Sequence, residues 1–246
     1  MTAKASRENV VEVVEIKFGY ANREVLKGLS LTIPRGKVVA ILGASGCGKP
    51  SLLRMIGGQL RPKRGHVKVD GQVVHRLSRE KLYLLRRRMG MMFQVSGLFR
   101  DLNVYENIAF PMREHTALPE GLIRQLVLMK LNAVGLRGAY GLMPGDLSGG
   151  MSRRVALARA IAMDPVLAMY DEPFAGLDPK ARRLLRLRWN ALLCACLPDR
   201  RISPRVKNRQ HDNSICFGSV EHRVGKTACL NTANLAVFDR KSLGMI

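Results

Sequence analysis

Apolar and polar residues change their spacing several times along this chain, and each change marks an element. Val10-Val11-Glu12-Val13-Val14-Glu15-Ile16-Lys17-Phe18 mixes β-branched residues with charges in a broken alternation, which predicts a half-buried strand. Leu29-Ser30-Leu31-Thr32-Ile33 alternates cleanly, and Pro34-Arg35-Gly36 turns the chain into the apolar core strand Val38-Val39-Ala40-Ile41-Leu42. A helix carrying Leu52, Leu53 and Ile56 follows. His66-Val67-Lys68-Val69 and Gln72-Val73-Val74 flank Asp70-Gly71, a two-residue hairpin signal. Ser78 is placed to cap a short helix with Leu82 and Leu85, and Met89 to Phe93 is a short strand ending at Gln94.

From Val95 to about Gly145 the period becomes helical. Asn103-Val104-Tyr105-Glu106 has capping-box spacing, and Leu122, Leu126, Met129 and Ala133 form a stripe behind Pro119, with Val127, Lys130 and Val134 nearby. Such a block between strands of one sheet predicts an inserted helical lobe. Leu147-Ser148-Gly149-Gly150-Met151 then opens a helix expected over 152–163 and stopped by Asp164-Pro165. Val166-Leu167-Ala168-Met169-Tyr170 is continuously apolar, the mark of a strand buried on both faces, and it delivers Asp171 and Glu172 at its C-terminal end.

After about Arg188 the pattern breaks. Residues 189–246 hold four of the five cysteines and the only Trp, and are expected to lack any strand of four apolar residues and to be disordered or irregular.

Composition adds bounds. At 246 residues the chain can bury a substantial core, and no run of about 18 apolar residues predicts a membrane span. The polar stretch from Met1 to Asn9 is no secretory signal, so a cytosolic location is expected. The cysteines form no C-x-x-C pair and read as free thiols. A net charge of +22 invites polyanions, but Arg86-Arg87-Arg88 and Arg182-Arg183 fall where exposed helix faces are expected, and no basic patch is interleaved with aromatics, so no nucleic-acid partner is expected.

The chemistry centres on Gly43, Ala44, Ser45, Gly46, Cys47, Gly48, Lys49, Pro50 and Ser51, set between a strand and a helix. Glycines let successive N–H groups curl around one hollow, and the helix start adds positive dipole, so the hollow suits phosphate. Lys49 would reach the outer phosphates. The pattern G-x-x-x-x-G-K is complete, but the hydroxyl residue that should follow and hold Mg²⁺ is Pro50. Asp171 at a strand end can hold Mg²⁺ through water, Glu172 can accept a proton from an attacking water, and Gln94 at another strand end can sense both. Singly each is uninformative; their order is the signal.

In that order the chain resembles the nucleotide-binding subunit of ATP-binding cassette (ABC) transporters over residues 10–188. Residues 43–51 look like the family's first nucleotide motif, Gln94 its Q-loop, Leu147 to Met151 its signature, Val166 to Glu172 its second nucleotide motif, and Ala175-Gly176-Leu177-Asp178 its D-loop. Tyr20, with Phe18 as fallback, falls where the family stacks an aromatic on adenine. The resemblance implies an α/β P-loop NTPase fold, a mixed sheet core with an antiparallel β part and a helical lobe over about 95–150. It implies ATP and Mg²⁺ as ligands, Glu172 as catalytic base, and a head-to-tail homodimer in which Ser148, Gly149 and Gly150 of one copy complete the other's ATP site.

Met91-Met92-Phe93-Gln94, Leu98 to Val104, Phe110 to Thr116 and Leu147 to Arg154 further resemble the ATPases of the maintenance-of-lipid-asymmetry phospholipid transporters, an MCE-associated group. That implies a peripheral subunit at the cytoplasmic face of the inner membrane. Its implied partners are an integral membrane permease, a periplasmic MCE-type lipid-binding subunit and a small cytosolic accessory subunit.

Two departures bear on turnover. Pro50 removes a hydroxyl and a backbone N–H, and Ser51 stands one residue late, about 100° around the helix. The family places a buried strand and a switch histidine near position 205, where Arg205 stands, and His211-Asp212 matches only locally. Residues 189–246 therefore read as an aberrant tail from a frame change or a damaged copy, with a divergent working tail as the alternative, and loss of that strand would leave an apolar sheet edge exposed. The competing readings are a catalytically dead cassette that only occupies the permease and a soluble, non-transport cassette ATPase.

Overall fold

The computed structural model describes residues 9–21, 23–36, 38–42, 46–93, 96–171, 216–219 and 235–239. Strand β1 (Asn9–Tyr20) pairs with β2 (Arg23–Pro34) and β4 (Arg64–Val69), and β4 pairs with β5 (Gln72–Val73), giving an antiparallel sheet in the order β2-β1-β4-β5. The broken alternation of β1 has a physical cause. Glu15 has φ 46 at a register shift between Val13 and Ile16, so both of those residues face the core although three positions apart. The Ser30 hydroxyl clasps the irregularity, accepting from the Glu15 N–H at 2.8 Å and donating to its carboxylate at 2.9 Å. Asp70 and Gly71 turn the β4–β5 hairpin with φ 50 and 78, as the Asp-Gly pair requires.

The second sheet runs β6-β7-β9-β3-β8, from β3 (Val38–Leu42), β6 (Met89–Met92), β7 (Leu167–Asp171), β8 (Cys216–Ser219) and β9 (Leu235–Asp239). Strands β6 and β7 are parallel, and β9 lies antiparallel to both β7 and β3. Leu235 to Phe238 is a run of four apolar residues, so the expectation that no such strand follows Arg188 is corrected. So is the exposed edge, since β9 pairs along β7 and β3. The remainder of 172–246 lies outside the described residues.

Helix α1 (Lys49–Ile56) buries Leu52, Leu53, Met55 and Ile56 in one core with the antiparallel sheet. Helix α2 (Arg79–Arg87) starts at Ser78, whose hydroxyl accepts from the Lys81 N–H at 3.3 Å. A second core belongs to the lobe: α3 (Val104–His115), α4 (Glu120–Ala133) and α5 (Gly149–Ala160) enclose Ile108, Met112, Ile123, Val127, Leu131 and Val155. Strand β7 serves both. Leu167 and Met169 belong to the first core, Ala168 and Tyr170 to the second, so its continuous apolar run is what two facing cores demand.

Two helix expectations are corrected. The buried face of α4 is Ile123, Val127, Lys130 and Leu131, while Leu122 and Met129 are exposed, so the expected stripe is turned by about one residue. Apolar residues surround this helix, and α3 and α5 decide which face is covered. Lys130 enters the core because Asp164 pairs with its ammonium. Helix α5 spans Gly149–Ala160 rather than 152–163, because Ser148 caps it directly and accepts from the Met151 N–H at 3.2 Å.

On the lobe surface Arg113 bridges α3 and α4 through Glu106 and Glu120, and Tyr105 donates to Glu120 at 2.9 Å. The Arg113 hydrogen bond, then that of Tyr105, holds the Glu120 carboxyl down at about 2. Such a group stabilises the fold at pH above its ordinary 4.5 and loses that contribution as pH falls toward about 2. Glu120→Gln should lower the melting temperature slightly at neutral pH, with the gap to wild type closing between pH 4.5 and about 2 in thermal melts.

Candidate functional site

Strand β3 and helix α1 are joined by the glycine-rich turn, of which Gly46, Cys47 and Gly48 are described and Gly43, Ala44 and Ser45 lie outside the described residues. Gly48 is the N-cap of α1 with φ 99, and a Cβ there would stand 2.6 Å from Val25 Cγ1. Only glycine fits, and glycine has no side chain to cap the helix. No side chain therefore caps the first turn, and an anion can take that place. Gly46, with φ 77 and open space where a Cβ would stand, keeps the approach clear.

Lys49 is the first residue of α1 and is 5 % exposed, with its ammonium donating to Cys47 Sγ at 3.5 Å among its contacts. Pro50 follows, exposed, at a helix position whose N–H would have no intrahelical partner. Ser51 is buried, and its hydroxyl lies 3.2 Å from the Tyr20 hydroxyl. The Tyr20 ring is half exposed and packs edge-on to Phe18 at 5.0 Å. The aromatic and the start of α1 thus form one wall, a contact between residues 31 apart that no sequence spacing announces.

Strand register places Asp171. On β9, Ala236 pairs with Ala40 on one side and Tyr170 on the other, and Leu235 pairs with Asp171. Strands β3 and β7 therefore run the same way, with Asp171 level with Ile41 and two strand spacings, about 10 Å, distant. Alternation sets Asp171 on the face of Leu167 and Met169, the side on which α1 packs. Met92 pairs with Tyr170, so β6 ends at the same edge. Gln94, Glu172 and Asp178 lie outside the described residues.

Ser148, Gly149 and Gly150 sit on the lobe at the tip of α5, with Ser148 and Gly149 exposed. The neighbouring Met151 packs against the lobe core. Sequence reasoning missed the groups that hold the chain just beyond Gln94. Asn107 is fully buried and bonds the backbone of Phe99, Leu102 and Asn103, and Arg159 donates to the carbonyls of Ser96 and Gly97. Burial lowers the Arg159 pKa. An Asn one turn inside the helix start expected at Asn103 was the available signal for the first.

The turn fits a triphosphate: a helix start with no capping side chain, an open glycine and a lysine stand together. It fits Mg²⁺ less well. Pro50 has no hydroxyl, Ser51 is engaged with Tyr20, and no cluster of three metal-ligating side chains occurs among the described residues, which leaves Asp171 as the described carboxylate at this edge.

The family description ABC transporter matches residues 26–175. The intermembrane phospholipid transport system ATP-binding protein MlaF of Haemophilus influenzae is 57% identical over 172 residues, which are 70% of this chain and 65% of that one. Its Escherichia coli K12 counterpart is 54% identical over 171 residues, 70% of this chain and 64% of that one. The chain thus spans just under two thirds of the length of these relatives. Among solved structures, a dimeric ATP-binding cassette in a post-hydrolysis state with ADP and Pi superposes with TM-score 0.68 at 29% identity, covering 74% of this chain and 82% of that one. The cbiO1 protein of Clostridium perfringens, part of an ABC transporter complex, gives TM-score 0.64 at 30% identity, covering 74% and 75%.

Gly48→Ala should destabilise the chain by about 1–2 kcal/mol from its left-handed backbone alone, and further through overlap with Val25 and Leu26. Gly46→Ala has the same backbone term with open space around it, so urea midpoints should fall further for the first variant than for the second.

Proposed function

Since the chain belongs to the ABC transporter family, we propose that it is the ATP-binding and ATP-hydrolysing subunit of a system that moves phospholipids between the inner and outer membranes of a Gram-negative envelope, maintaining lipid asymmetry. The observation that carries the nucleotide part is the uncapped start of α1 beside the buried Lys49. The lipid part rests on the names of the Haemophilus and Escherichia relatives.

In this reading residues 43–51 cradle the phosphates, Lys49 neutralises the outer ones, and Tyr20 stacks on adenine. Asp171 and Gln94 serve Mg²⁺, and Glu172 accepts the proton of the attacking water. The Ser148, Gly149 and Gly150 tip completes the site of a second copy, with Asp178 at the same interface; a dimeric solved cassette supports the pairing of two copies. Phosphoryl transfer supplies the energy, and closing and opening of the dimer passes it on.

The proposed partners are an integral permease, a periplasmic MCE-type subunit and a small cytosolic accessory subunit. No helix among the described residues is long and apolar enough to cross a membrane, which suits a subunit held at the inner membrane's cytoplasmic face by its permease. A groove of about 440 Å³ between α2, β6 and the lobe, lined by Tyr83, Arg87, Phe99, Phe110 and His115, suits a permease segment. The cassette is proposed to occupy 1–188, with 189–246 an aberrant tail whose β8 and β9 join the sheet.

Pro50 favours a second reading, a cassette that binds the permease with little turnover. Loss of a metal-ligating hydroxyl and a phosphate-facing N–H removes on the order of 3 kcal/mol of transition-state stabilisation, roughly a hundredfold in rate. Labelled ATP should be retained by the chain and lost in Lys49→Ala. Pro50→Thr should raise phosphate release of the permease-bound protein by about a hundredfold. Absence of adenine nucleotide from both the wild type and Pro50→Thr would overturn the proposal.

A further inference from the structure

The segment that follows Gln94 is fastened to α5 at two points. Near the helix start, Ser152 Oγ donates to Ser96 Oγ at 2.9 Å. About two turns on and on the same face, Arg159 Nη2 donates to the Gly97 carbonyl at 2.8 Å and the Ser96 carbonyl at 3.3 Å. Its Nη1 donates to Asn107 Oδ1 at 3.3 Å, and the guanidinium lies 5.4 Å from the Phe99 ring centre. Gly97 has φ 57, a left-handed bend at the carbonyls this fork takes.

The far side of the loop is held by Asn107, the residue that Arg159 also contacts. Asn107 Oδ1 accepts the Phe99 N–H at 2.9 Å, and its amide nitrogen donates to the carbonyls of Phe99, Leu102 and Asn103 at 3.0, 2.8 and 3.0 Å. Residues 96–103 are therefore bound to α3 and α5 by directed bonds on both flanks. None of these bonds touches the phosphate turn.

We propose that Arg159 is a positioning residue that locks the chain just after Gln94 to the helix whose tip is Ser148, so that one copy's Q-loop and the surface it offers the other copy's ATP move as a single body. The inference rests on the functional reading above for its consequence and on the Arg159, Ser152 and Asn107 contacts for its geometry. A straight α-helix carries a shift at Arg159 to Ser148, about 16 Å along its axis, with little loss, and Ser152 fastens the same segment one turn from that tip. The planar fork of arginine reaches the two carbonyls through Nη2 and Asn107 Oδ1 through Nη1; a lysine ammonium is one compact charge and cannot span both groups in that geometry.

The test uses the full chain and the variants Arg159→Lys, Arg159→Ala and Ser152→Ala. Amide exchange should quicken by about tenfold at both residues 96–103 and 148–152 in either Arg159 variant, with β1 and β2 unchanged. ATP-dependent dimer formation, read by light scattering, should need about tenfold more protein, while ATP affinity of the dilute single chain stays within about twofold. Ser152→Ala should give a smaller effect of the same kind. Wild-type exchange and dimerisation in Arg159→Lys would overturn the proposal, as would faster exchange confined to 96–103. A parallel loss of ATP affinity in the dilute chain would mark the residue as merely structural and equally overturn it. Failure of the wild type to bind ATP would count against the functional reading, and the exchange data would still decide the lock.

Discussion

Burial of β7 on both faces is the constraint from which the arrangement follows. A strand with Leu167 and Met169 in one core and Ala168 and Tyr170 in the other cannot shift register by one residue without sending each set into the wrong core. Register in turn fixes where Asp171 leaves the sheet, level with Ile41 at the edge to which β6 also delivers its end. Placement of a carboxylate near a phosphate turn is thus a by-product of apolar packing two to four residues earlier. Gly90 extends the same logic to β6, since a Cβ there would stand 2.2 Å from the Ala160 carbonyl and push α5 off the sheet.

The phosphate turn shows the opposite economy, in which stability is left unclaimed. Asn103 and Ser148 cap α3 and α5 with side-chain oxygens, and Ser78 does so for α2. Helix α1 alone among these starts on a left-handed glycine with no capping side chain. A cap there would stabilise the helix by about 1 kcal/mol and would occupy the N–H groups that a phosphate needs. Pro50 does not disturb this local fold, because the position it takes has no helical hydrogen bond to lose. Folding and chemistry therefore respond differently to the same residue, which is why a chain can keep the shape of a cassette while its turnover is in question.

Much of this was legible in the sequence where local rules act alone. The Asp70-Gly71 hairpin, the caps at Ser78 and Asn103 and the doubly buried β7 depend on residues within a few positions of one another. What failed depended on distant partners. The covered face of α4 is chosen by α3 and α5, and the buried Lys130 is intelligible only with Asp164 beside it. Strand β9 was overlooked because its four apolar residues stand in a polar stretch, and only the open edges of β3 and β7 give them a place. At the site, the glycines and Lys49 were readable from spacing, whereas the Tyr20–Ser51 contact and the fastening of residues 96–103 join segments far apart in the chain.

The charge of +22 takes on a different meaning once the arginines are located. Arg86 donates to the carbonyls of Gly57 and Gly58 just past the end of α1, at 3.0 and 3.1 Å, and Arg87 donates to the carbonyl of His115 at the end of α3. Arg35 and Arg88 converge on Asp70, Arg113 joins two lobe helices, and Arg159 holds the loop beyond Gln94. Helix C-terminal ends and bent loops present carbonyls with no intrahelical donor, and a guanidinium, with five donors in a fixed plane, can serve two of them at once while keeping its charge. These six arginines serve as joints between elements. A field that looks from the sequence like an invitation to polyanions is, at these positions, a set of fasteners whose donors already point inward.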